Sequence, residues 1–320
     1  MKNLYFFFVI AFTIATVLIS QLSGCSNASV CTNIQRVLVF GDSNVDTGNL
    51  FKLTAQTSPA KPRWQGRESN GPLAVEYLAL ALNASLESHA VSGATTGTGN
   101  IINLVQPQFS NKFEGIKKSG LTEQVSQFIQ HGGALRNSDL IIIWAGSNDL
   151  YEVSFQKKNI LAQRTTEVGI NLERVILFLH EAGAHHMLIV NRTPRDLLGG
   201  SNDLTGIELN KEIAKVVKRT STLLGTDIQL FDAYTTISDM MRNPLNYGFT
   251  ETVAWCITTP TCVVEKFGSR MIVAEKFTNW DGAHKTTKVH RIMAEKMLLL
   301  VSPKNNLCRS IYEQTYSNSP

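Results

Sequence analysis

Apolar residues along the chain follow two recurring patterns. Short uninterrupted runs, Val37-Leu38-Val39-Phe40 and Ile141-Ile142-Ile143, read as strands covered on both faces. Between them lie stretches with apolar residues at helical spacing. Leu172, Val175, Ile176, Leu179 and Ala182 form one such stripe, which can lie on a sheet. The pattern predicts strands over Arg36 to Phe40, Ser85 to Val91, Leu140 to Trp144, His186 to Asn191 and Ile228 to Asp232. It predicts helices over Leu73 to Leu82, Thr122 to Gln130, Thr165 to Ala182, Leu204 to Leu224 and Thr286 to Leu300. This alternation is that of an α/β protein, a parallel sheet wrapped by helices.

No internal repeat or Pro-rich linker divides the chain beyond its N-terminal segment, so residues 36–320 read as one catalytic domain. Thr54 to Asn70 is rich in Pro, Gly and charge, and Tyr234 to Thr278 is long and mixed. Both read as insertions, and long loops in α/β enzymes usually shape or cover the site.

The N-terminus reads differently. Leu4 to Ile19 is almost unbroken apolar sequence behind Lys2, too short for a comfortable bilayer span, and marks residues 1–24 as a signal peptide. Leu22-Ser23-Gly24-Cys25 resembles a bacterial lipobox, which predicts lipidation of Cys25 and makes residues 25–35 a tether. Ordinary cleavage near Ala28 or Ser29 would instead release a soluble secreted protein. The expected location is outside the cytoplasm of a bacterium, as a secreted protein or an outer-membrane or periplasmic lipoprotein.

Five cysteines leave four once Cys25 is set aside, a parity that supports export more than lipidation. Cys256 and Cys262 enclose ITTPT as a small disulfide loop, and Cys31 and Cys308 are left to tie the two ends together. The Cys256 to Cys262 loop is equally readable as a lid over the site or as a structural staple.

A hydrophobic content of 43% supports a substantial core. The net charge of +4 comes from 30 basic and 26 acidic residues without a dense Lys/Arg block, which argues against a nucleic-acid footprint. ATTGTGN lacks the Lys-Ser/Thr of a phosphate loop, and no dinucleotide fingerprint occurs in the right context. His185 and His186 face opposite ways on a strand, so no metal site is expected from them, and His290 reads as a packing residue inside a helix.

The chemistry lies at strand ends. Ser43 in GDSNVDTGN follows the first apolar run, and Asp281 and His284 in DGAH precede the last helix. A serine hydroxyl needs an imidazole to take its proton, and the imidazole needs a carboxylate to fix its tautomer. Asn148 in GSND follows the strongest strand, and Gly93 in AVSGATTG follows another. With the Ser43 N–H, the Asn148 amide and the Gly93 N–H form a candidate oxyanion hole. Singly each block is an ordinary turn, with Asp281 readable as a helix cap; together they make coincidence a poor explanation.

Block by block, from Val37 to His290, these residues resemble the GDSL or SGNH hydrolases, whose Ser, Gly, Asn and His match Ser43, Gly93, Asn148 and His284. The resemblance implies a flavodoxin-like three-layer αβα sandwich with a mostly parallel five-stranded sheet and a serine esterase needing no cofactor. SNGPLAVEYLA, Ser69 to Ala79, looks like the branch with bacterial phospholipases A, lysophospholipases, haemolysins and glycerophospholipid-cholesterol acyltransferases. That branch implies phospholipid or lysophospholipid substrates, a sterol as a potential acyl acceptor, and contact with a membrane surface. The sequence departs from the pattern at Asn44, where Leu is usual, and at Asn191-Arg192-Thr193-Pro194, where a more apolar segment is usual. An esterase for acetylated glycans or other short-chain esters shares the same blocks. A noncatalytic envelope lipoprotein is the remaining alternative, weakened by the presence of every expected catalytic residue.

Overall fold

A computed structural model describes residues 34–151, 158–195, 203–260, 262 and 273–302. The predicted signal peptide, Cys25, Cys31 and Cys308 lie outside these residues. Five strands form the main sheet: β1 (Arg36–Gly41), β2 (Ser85–Ser88), β3 (Asp139–Trp144), β4 (His186–Val190) and β5 (Asp227–Phe231). They lie in the order β2-β1-β3-β4-β5, and every pairing is parallel. This is the flavodoxin-like order.

The uninterrupted apolar runs resolve into two alternating sets. Val37, Val39, Leu140, Ile142, Leu188 and Val190 bury toward one face, and Leu38, Phe40, Ile141, Ile143, Met187 and Ile189 toward the other. A strand sandwiched this way has no polar face, and all six residues of β3 are buried. Each fully buried aliphatic side chain contributes roughly 1.5–3 kcal/mol, so the central strands anchor the domain.

Helices supply the outer layers. In chain order they are α1 (Asn49–Leu53), α2 (Ala74–Ala81), α3 (Ile102–Val105), α4 (Pro107–Lys112), α5 (Leu121–Gln130), α6 (Lys158–Glu181), α7 (Leu204–Leu224), α8 (Ala233–Arg242) and α9 (Thr287–Val301). Val75 and Leu78 of α2, Ile237 and Met240 of α8, and Val289, Met293 and Met297 of α9 cover the first face. Val125 of α5, Val168, Leu172 and Ile176 of α6, and Leu209, Ile213 and Val216 of α7 cover the second. The result is the αβα sandwich. None of the described helices is long and apolar enough to cross a membrane.

Some boundaries differ from the sequence expectation. β2 stops at Ser88: the His89 and Val91 N–H groups still reach the Val39 and Gly41 carbonyls, but the Gly41 N–H that would continue the ladder goes to Gln124 instead. α6 starts at Lys158, since buried Leu161 extends its apolar stripe upstream. The segment 234–278 is only partly an insertion: α8 belongs to the sandwich core. Farther on, β6 (Glu251–Trp255) and β7 (Phe277–Asn279) form a second, two-stranded parallel sheet.

Candidate active site

The C-terminal end of β1 is pressed against β3. A Cβ on Gly41 would sit 2.1 Å from the Trp144 carbonyl oxygen, so glycine is what lets the two strand ends meet. The Gln124 side chain of α5 accepts from the Gly41 N–H at 2.8 Å and donates to the Gly41 carbonyl at 2.9 Å. Ser43 lies two residues beyond this clamp.

Buried carboxylates hold the neighbouring loops. Asp46 accepts from the N–H groups of Gly48, Asn49 and Leu50, and from both the N–H and the hydroxyl of Ser92. It therefore joins the Ser43 loop to the Gly93 loop. Asp42 accepts from the Asn44 N–H and side-chain amide, and burial pushes its carboxyl upward despite those bonds. Asn44, the departure from the usual Leu, thus caps Asp42, the residue before Ser43.

Gly93 adopts φ +85°, and a Cβ there would lie 2.4 Å from Asn100 Oδ1. Asn100 in turn donates to the Ser92 carbonyl and the Ser119 hydroxyl. Asn148, in the short turn after β3, donates to the Ala94 carbonyl at 2.9 Å, which orients its amide and uses one of its two hydrogens. Asp149 accepts from the Thr96 N–H and hydroxyl. Burial, opposed by the Thr96 bonds, raises the Asp149 carboxyl to about 6.

The last two members arrive from the far end of the chain. His284 Nε2 is 2.9 Å from Ser43 Oγ, and His284 Nδ1 is 2.8 and 3.0 Å from the two oxygens of Asp281. Asp281 Oδ1 also accepts from the N–H groups of Ala283 and His284, so one turn of backbone presets the pair. Burial opposes the charge on Asp281, but the bonds from His284 and Ala283 win and hold it well below the usual carboxylate range. Burial also pulls His284 down, and the Asp281 bond and charge more than offset it, so the imidazole sits above its ordinary value.

The segment that carries the SNGP residues grips this turn. Ser69 donates to the Lys285 carbonyl, Asn70 accepts from the Thr287 N–H, and Thr287 donates to the Pro72 carbonyl. From the same side Arg63 Nη2 donates to Asp281 Oδ2 at 2.9 Å while Arg63 Nε donates to Glu68. Glu68, Asp281 and His284 approach one another as cation ligands do, but the Arg63 guanidinium already pairs with both carboxylates.

Behind Asp281, the Cys256–Cys262 disulfide packs with Phe277, Ala274 and Trp280 in a small core. The Ile257 N–H donates to the Trp280 carbonyl. Among the described residues of that loop, Cys256 and Cys262 are buried in this small core and none is among the cleft-lining residues. His290 is buried in α9 as a packing residue, and burial lowers it to about 3, with the charges of His284 and Lys285 adding to the shift. His186 instead meets Asp227 at 3.2 Å on an exposed strand end.

A cleft of about 340 Å³ opens over Ser43, Gly93, Asn148 and His284. Leu50, Ile101, Ile102 and Val105 contribute apolar lining, and Tyr151 and Arg195 also line it. A larger groove of about 560 Å³ between α5 and α6 contains none of these residues. Gln124, Asp46, Asn100, Asp149, Arg63 and Glu68 are among the site residues absent from the sequence reading. Gln124 leaves one trace there, as a polar residue on the buried stripe of Leu121, Val125 and Phe128.

The sequence profile of the GDSL-like lipase/acylhydrolase family matches residues 37–297. The chain is 27% identical over 294 residues to the thermolabile hemolysin of Vibrio parahaemolyticus, covering 86% of this chain and 65% of that protein. It is 24% identical over 229 residues to the phosphatidylcholine-sterol acyltransferase of Aeromonas hydrophila, covering 69% and 65%. The chain thus spans just under two thirds of either relative. Among solved structures, a lipolytic G-D-S-L family protein from Veillonella parvula aligns at TM-score 0.46 and 15% identity, covering 83% of this chain and 97% of that one. An acetylxylan esterase from Geobacillus stearothermophilus aligns at TM-score 0.42 and 14% identity, covering 83% and 94%.

Proposed function

The chain belongs to the GDSL-like lipase/acylhydrolase family and is a carboxylic ester hydrolase, and we propose that it releases fatty acids from phospholipids and lysophospholipids through an acyl-enzyme on Ser43. In this reading Ser43 Oγ attacks the acyl carbonyl carbon and its proton passes to His284 Nε2. The charge on the carbonyl oxygen meets the N–H groups of Ser43 and Gly93 and the free hydrogen of the Asn148 amide. Collapse breaks the ester C–O bond, and His284 returns the proton to the departing alcohol. Water, deprotonated by the same imidazole, then cleaves the acyl-enzyme and restores Ser43. Asp281 orients the imidazole and stays ionised.

The observation that carries the proposal is the 2.9 Å approach of His284 Nε2 to Ser43 Oγ in a cleft with apolar lining. Leu50, Ile101, Ile102 and Val105 suit an acyl chain, and the Arg195 guanidinium suits a headgroup phosphate. The names of the two bacterial relatives point the same way. A sterol hydroxyl can replace water in the second step where the acyl-enzyme is shielded, which makes acyl transfer a branch of the same mechanism. Residues 36–320 form the hydrolase domain in this account, exported behind the signal peptide, with Cys25 as the lipid attachment point.

Mass spectrometry of products from mixed phospholipids, with and without cholesterol, tests the reading. Fatty acid release that disappears in Ser43→Ala supports it, and undiminished release in that variant refutes it. On p-nitrophenyl esters a preference for long over acetyl chains separates it from a glycan or short-chain esterase.

A further inference from the structure

Arg63 comes from the segment 54–70, whose composition gives no hint of a catalytic contribution. Yet its guanidinium lies against Asp281, bonded to Oδ2. Asp281 Oδ1 receives three donors, from the Ala283 and His284 N–H groups and His284 Nδ1. Oδ2 takes the longer His284 contact and the Arg63 Nη2 bond at 2.9 Å. Arg63 is itself held by Glu68, and the side chains of Arg63, Glu68 and Asp281 are only 27%, 14% and 13% exposed.

We propose that Arg63 is a positioning residue of this hydrolase: it pins the second oxygen of Asp281 and, with Glu68 as counter-charge, sets how firmly Asp281 holds the imidazolium formed during turnover. The inference rests on Ser43 and His284 being the nucleophile and base. A carboxylate tied to a fixed guanidinium cannot rotate away from the imidazole when the proton arrives. The positive charge also draws on the electron density that Asp281 offers His284, and Glu68 partly returns it.

The charges facing His284 are few. Asp281 comes from its own turn, Asp42 from the Ser43 loop, and Arg63 and Glu68 from the segment 54–70. His290 and Lys285 come from the start of α9 and its approach; Lys285 Nζ donates to Asn279 and His290 is held neutral by burial. Among these, Glu68 pushes the His284 imidazole up and Arg63 pushes it down.

The test is the pH dependence of kcat/KM on p-nitrophenyl butyrate for Arg63→Ala, Arg63→Lys and Glu68→Gln, each normalised to the fraction of Ser43 labelled by a fluorophosphonate. Arg63→Ala should lower kcat between about tenfold and a hundredfold with little change in KM. Its acid limb should move to higher pH, because a cation beside the imidazole is gone. Arg63→Lys should return the limb toward its original position without restoring kcat fully, since an ammonium lacks the fork. Glu68→Gln should move the limb to lower pH. A limb that stays in place in both Arg63→Ala and Glu68→Gln, after normalisation, overturns the proposal. Absence of fluorophosphonate labelling at Ser43 in the unaltered chain would overturn the underlying triad instead.

Discussion

Gln124 and Gly41 are joined by a closed pair of hydrogen bonds, with the side-chain amide of α5 serving both the N–H and the carbonyl where β1 ends. A third bond from Gln124 reaches the Ser119 carbonyl. A buried amide here completes a sheet that runs out of partners just before Ser43. Gln124→Leu keeps the volume but orphans buried polar groups at about 1–3 kcal/mol each. Urea denaturation should show a loss of that order, and kcat should fall as the Ser43 loop loosens.

Asn148→Ala should reduce kcat by about two to three orders of magnitude while leaving KM nearly unchanged, the signature of a donor used chiefly in the transition state. Steady-state kinetics on p-nitrophenyl butyrate reads this directly. An equal loss in Ala94→Gly, which retains the carbonyl that orients the amide, would point to general loop damage instead.

Gly93→Ala should be harsher than its size suggests. Its backbone is in the left-handed region, and the added methyl meets Asn100 Oδ1. Both stability and kcat should fall, with the melting temperature dropping by several degrees for a loss of about 1–2 kcal/mol.

Arg195→Ala should raise KM for lysophosphatidylcholine severalfold while sparing p-nitrophenyl butyrate, which has no phosphate. The comparison of the two KM values isolates headgroup binding from chemistry. Equal effects on both substrates would remove Arg195 from substrate recognition.

Asp149 gives the fold a pH dependence of its own. Its carboxyl is raised from 3.8 to about 6 by burial, so the folded state binds a proton that the unfolded state has released across that interval. The stability from this group is complete below about 4 and is lost as pH rises through 6. Urea midpoints measured from pH 4 to 7 should fall along this range, and Asp149→Asn should flatten the decline.

The candidate catalytic blocks were legible because each is contiguous: GDS, SGA, GSND and DGAH bring their residue types within a few positions of a strand or helix end. The sheet was legible because β1 and β3, buried on both faces, tolerate almost no polar residue. Arg63 was not legible, because its meeting with Asp281 depends on the path of a loop without periodicity. The pairing of β6 with β7 was hidden by their short length and irregular register. In α8, Thr235, Thr236, Ser238 and Asp239 dilute the apolar spacing that Ile237 and Met240 bury in the core. Cys256 and Cys262 were readable as a pair because they enclose the short segment ITTPT, which a disulfide can close.

Ser43 and His284 are 241 positions apart, and the turn bearing His284 is carried by α9, which packs on α2 near the start of the domain. If Ser43 and His284 are the nucleophile and base, the chain has no working pair during most of its own synthesis. A nascent chain in which α9 has not yet docked holds Ser43 without His284 beside it. On the proposed mechanism, activity therefore waits until α9 docks on α2 and brings His284 to Ser43.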